Sequence, residues 1–141
     1  MSIERNPTPE EFFDAECSSG SRALRVNQVS YYPPRGRELI HNRVGICHQD
    51  VEGQLTLMRN GGYFLGSLSL DSFSAPDTNA GREVDLVLGS LKNSSRSIGA
   101  VSSVGNYDPG NRVSIYLGSG TDDNPERWTV HCDLSDVDAQ E

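Results

Sequence analysis

The chain has 141 residues, a formal net charge of −8 and a hydrophobic fraction of 35%. A length in this range fits one domain and allows well over half of the unfolded surface to be buried, so neither a disulfide nor a metal is needed for folding. No run approaches the roughly 18 apolar residues of a membrane span. The acidic balance is also the wrong sign for neutralising a phosphate backbone with Lys and Arg, so neither membrane nor nucleic acid is an expected partner.

Thr8-Pro9-Glu10-Glu11 has the form of a helix start. Thr8 suits the N-cap, Pro9 the first helical position, and Glu11 completes a capping box. Phe12 and Phe13 would tie this short helix to the body, and Ser18-Ser19-Gly20-Ser21 should end it near Cys17. Beyond it the pattern reads as strands. Leu24 and Val26, then Val29 and Tyr31, alternate with a one-residue slip at Asn27-Gln28, which predicts a bulge. Ile40, Val44 and Ile46 share a face, Leu55 and Leu57 alternate, and Asn60-Gly61-Gly62 is a hairpin turn leading into Phe64, Leu68 and Leu70.

After a loop from Ser74 to Gly81, the spacing of Val84, Leu86 and Leu88 predicts another strand, followed by a weaker one through Ile98, Ala100, Ser102 and Val104. Asp108-Pro109-Gly110-Asn111 has turn chemistry, and Val113, Ile115 and Leu117 form a strand. Gly118 to Pro125 reads as a polar loop, and Trp128, Val130, Cys132 and Leu134 as the last strand. About eight strands with one short N-terminal helix predict a mainly β domain, an antiparallel sandwich or small barrel. The organisation expected is an N-terminal arm over 1–20, a single β domain over 21–135 and an acidic tail over 136–141. Trp128, Val130, Ile115, Leu117, Leu86, Leu88, Leu68 and Val44 should share the core.

Cys17, Cys47 and Cys132 are an odd and sparse set, and Met1 to Pro7 has no apolar stretch of the kind that begins a signal peptide. Reduced thiols and a cytoplasmic location follow, or the host cytoplasm if the protein is virus-encoded. Residues 101–141 carry two basic side chains against eight acidic ones, so most of the negative charge lies in the last third.

The reactive residue types do not assemble into a motif. In Cys47-His48 and His131-Cys132, neighbours on a strand face opposite ways and cannot form a nucleophile–base couple. A zinc site on His41, Cys47 and His131 is disfavoured, because six residues of strand separate the first two by roughly 20 Å. Gly118-Ser119-Gly120-Thr121 with Asp122-Asp123 lacks the spacing of a calcium loop and reads as a solvated turn. No catalytic residue, cofactor or metal is expected.

Tyr31-Tyr32-Pro33-Pro34-Arg35-Gly36-Arg37 is the segment best suited to contact a ligand. Tyr31 or Tyr32 would stack on it and Arg35 and Arg37 would supply charge, although the same residues also suit a stiffened, solvated strand end. The sequence thus favours a non-catalytic binding or interaction protein. Its partner would be a protein or a small anionic or aromatic ligand, with use as a homo-oligomer or as a virus-encoded accessory or inhibitor. The alternatives are a viral structural module, such as a capsid-decoration or tail component, and a small β-barrel enzyme pairing Asp77 or Asp108 with His41.

Overall fold

The computed structural model of the chain describes residues 7–16, 20–36, 45–48, 51–74, 78–108, 111–121 and 123–134. It opens on a helix, α1 (Pro9–Glu16), with a reciprocal cap. The Thr8 amide donates to Glu11 Oε1 at 2.9 Å, and the Glu11 amide donates to Thr8 Oγ1 at 3.1 Å. Among the described residues seven strands follow: β1 (Ser21–Tyr32), β2 (Ile46–His48), β3 (Val51–Asn60), β4 (Tyr63–Phe73), β5 (Arg96–Asp108), β6 (Arg112–Thr121) and β7 (Asn124–Asp133). A second helix, α2 (Asn79–Leu88), and a 3₁₀ turn (Gly89–Leu91) connect β4 to β5.

All strand ladders are antiparallel and run β1–β3–β4–β5–β6–β7, and β7 pairs back onto β1 to close a six-stranded barrel. Val29 lies opposite Val130 and Tyr31 opposite Trp128 in the closing ladder, and the predicted bulge falls between Val26 and Gln28. β2 is the extra strand. It pairs with β1 at residues 29–31, beyond the stretch 21–26 that β3 occupies. At the β3–β4 turn only Gly61 of the two central glycines takes a positive φ, 65°, as a type II′ hairpin turn requires of its first central residue.

Alternation puts Leu24, Leu55, Leu57, Leu68, Leu70, Ile115, Leu117, Trp128 and Val130 inside, together with Phe12 and Phe13 from α1. The interior of a six-stranded barrel is narrow, and a Cβ at Gly66 would collide with Leu117 and press on Leu55. Each end is stoppered by a helix. At one, Phe13 stacks on Phe64 at 4.2 Å and Phe12 meets Tyr107 edge-on at 5.7 Å. Arg59 lies over Phe13 and Phe64 and pairs with Asp14 at 3.0 Å. This helix spans a seam, because β5 pairs with β4 only over residues 96–100 while its remainder pairs with β6 alone among the described residues.

The other end is where the structure corrects the sequence reading. Residues 84–88 are not a strand but the end of α2. Thr78 caps this helix, its Oγ1 accepting from the Gly81 amide at 3.1 Å. Val84, Leu88 and Leu91 are buried at helical spacing, and Leu86, placed in the core by the strand reading, is 79% exposed. The expected loop from Gly118 to Pro125 is instead a tight hairpin, with Thr121 opposite Asn124. Ladder irregularities along β5 turn Ala100 to the outer face and leave Ile98 and Val104 inside. Val44 and the stretch around Ile40, Cys17, His41 and Arg37, Asp77 and the tail 136–141 lie outside the described residues. Among the described residues no helix is long and apolar enough to cross a membrane.

Candidate functional site

The candidate site follows from register. Trp128 and Leu117 point inward, so their chain neighbours Arg127 and Gly118 point out. Pairing then sets Tyr32, Arg127, Gly118, Ala100, Leu65 and Met58 in one row around the outside of the barrel, one residue from each strand in turn. The adjacent row holds Ser30, Thr129, Tyr116 and Ser103. Where the rows cross β5, β6 and β7 the small residues Ala100 and Gly118 leave an open groove of about 540 Å³, lined by Tyr32, Tyr116 and Arg127 among others.

The two lining tyrosine rings each settle on a glycine. The Arg127 guanidinium lies 5.8 Å from the centre of the Tyr32 ring and makes no ion pair among the described residues. Gly45, at φ 148°, packs under Tyr32, and a Cβ there would lie 2.8 Å from the ring. Gly105 does the same for Tyr116, at 2.6 Å. Two aromatic rings and one guanidinium thus border a floor that larger side chains would fill.

The structure divides the predicted segment. Tyr32 belongs to the groove, whereas Tyr31 points into the barrel, where its hydroxyl donates to Glu126 Oε2 at 2.7 Å. Arg35 does not line the groove. Its Nη2 donates to the Asp123 carbonyl at 3.0 Å, and its backbone exchanges two hydrogen bonds with the Asn124 side chain, so it clamps the segment to the β6–β7 turn. The cation in the groove is Arg127, which sequence reasoning missed. Its alternation with the inward Trp128 was visible, but its neighbours Tyr32 and Tyr116 come from strands far away in the chain.

The reactive side chains are placed apart from this groove. Cys132 is buried, and burial together with the Asp133 carboxylate pushes its thiol well above the ordinary range. Cys47 is exposed and accepts from Gln28 Nε2 at 3.2 Å; both cysteines are free. His131, on the outer face, has Nδ1 2.7 Å from Ser114 Oγ, and burial lowers its pKa. Ser114 is 2% exposed, so its oxygen has no path to a substrate and the pair is a structural one. Among the described residues no three His, Cys, Asp or Glu converge as metal ligands would.

Comparisons with protein-family models, with curated proteins and with solved structures find no match for this chain.

Proposed function

We propose that the chain is a non-catalytic binding protein whose outer groove takes a small planar aromatic anion. The observation that carries this reading is the Arg127 guanidinium resting on Tyr32 with no carboxylate partner among the described residues, at the edge of a groove whose floor is Ala100 and Gly118. A volume of about 540 Å³ falls within the roughly 300–1,000 Å³ typical of small-molecule sites. Arg127 would meet the anion, and Tyr32 and Tyr116 would meet the ring faces. Arg35 would brace the end of the groove through its bonds to Asp123 and Asn124.

Calorimetric titration with naphthoate tests this, with naphthalenemethanol as the uncharged control and cyclohexanecarboxylate as the non-planar one. Naphthoate should bind saturably and both controls at least tenfold more weakly. Arg127→Ala and Tyr32→Ala should each cost tenfold or more, about 1.4 kcal/mol. Equal affinity for naphthoate in Arg127→Ala would sink the reading.

A protein partner is the second reading, favoured by the apolar continuation of the same row. Met58 and Tyr63 are 53% and 52% exposed and flank Leu65, next to Ala100. A second copy docking on this face would raise the native mass with concentration, and Met58→Asp would abolish the rise.

A further inference from the structure

A second cavity, of about 270 Å³, opens at the α2 end of the barrel. Its inner wall is formed by Tyr31 on β1 and Trp128 on β7, cross-strand partners whose ring centroids lie 4.6 Å apart with a tilt of 55°. Glu126 lines it too. Its Oε2 accepts the Tyr31 hydroxyl, and its Oε1 has no hydrogen-bond partner among the described residues. Arg96, at the start of β5, brings a guanidinium to the same cavity. That group donates from Nη1 to Ser90 Oγ at 2.7 Å and makes no ion pair among the described residues. Trp128 is 6% exposed, and its Nε1 is a buried donor with no acceptor among the described residues.

We infer that this mouth binds an α-amino acid. A carboxylate beside two aromatic rings attracts an ammonium group, through charge on one side and the ring faces on the other. A guanidinium in the same small space takes a carboxylate. With one fixed charge of each sign, the cavity repels no zwitterion and leaves one group unpaired with an ion of a single sign. Its volume lies just under the usual range for drug-sized ligands, which matches a molecule of this size. The site is separate from the outer groove, and Trp128 is the one residue that borders both.

Trp128 is the single tryptophan of the chain, so its emission reports occupancy of the wall it forms. The folded full chain is titrated with the standard amino acids, and with ethylamine and propionate as carriers of one charge each. At least one amino acid should give a saturable change that neither control gives, and should raise the melting temperature. Glu126→Gln and Arg96→Gln should each weaken it tenfold or more. Because Glu126→Gln also disturbs the bond to Tyr31, the exposed Arg96→Gln is the decisive variant, and naphthoate binding in the groove should be unchanged in it. The inference is overturned if no amino acid gives a saturable response, if ethylamine binds as well as the best of them, or if Arg96→Gln leaves the affinity intact.

Discussion

Cys47 lies exposed on the short extra strand β2 and Cys132 faces the core from β7, and their chemistry should differ accordingly. The thiolate is the reactive form, and burial in apolar surroundings suppresses it. In a Cys17→Ser background, a thiol reagent should modify Cys47 promptly and reach Cys132 only when the protein unfolds. Rapid modification of two thiols in the native state would show that the last strand is not seated as described. His131 makes a prediction with a sign. Unfolded, an imidazole takes up its proton near pH 6.5. Folded, burial keeps His131 neutral to lower pH. Below about pH 6.5 the unfolded chain therefore holds more protons at this position, and stability must fall as the pH falls. Urea midpoints at pH 7.5 and 5.5 should separate more for the native sequence than for His131→Gln. An equal separation would remove His131 from the acid response.

At the scale of elements, α2 supplies the sharpest contrast. On a strand Leu86 and Leu88 would share a face and an energetic role, but on this helix they do not. Leu88→Ala should cost about 2–5 kcal/mol as a buried truncation. Leu86→Ser, at an exposed position, should stay within about 0.5 kcal/mol of neutral. Equal losses in urea denaturation would restore the strand. The ambiguity was physical. Val84, Leu86 and Leu88 satisfy a period of two, while Val84, Leu88 and Leu91 satisfy the helical period in the same stretch, and the deciding cap at Thr78 lies beyond the apolar residues. Elsewhere local chemistry sufficed: the Thr8 capping box, the slip at Asn27-Gln28, the Gly61-Gly62 turn and the facing of Tyr31 against Tyr32 could all be read from the chain. The groove could not, because it needs the mutual register of four strands. That register depends on irregularities along β5, where Gly99 and Asn106 take positive φ, and a lone Gly or Asn in a weakly alternating stretch does not by itself say which residues pair.

For the whole molecule, the narrow barrel makes small changes of volume costly. Gly66 on β4 faces Leu117 from β6 across the interior, so a single added methyl has nowhere to go. Gly66→Ala should lose about 1–3 kcal/mol by overpacking, read from its denaturation midpoint. A neutral result would mean that the ring of strands can widen. That ring also has a history in time. The ladder joining β1 to β7 pairs Val29 with Val130, the first strand in chain order with the last described one. On the ribosome, at roughly 5–20 residues per second, β1 waits on the order of ten seconds for β7, the strand that covers its other edge. During that interval the growing sheet keeps an open edge, which is the template on which strands of other chains can add. The final hairpin is thus a lock that arrives last. A chain stalled before Asn124 would persist with the β1 edge open that β7 covers in the completed molecule.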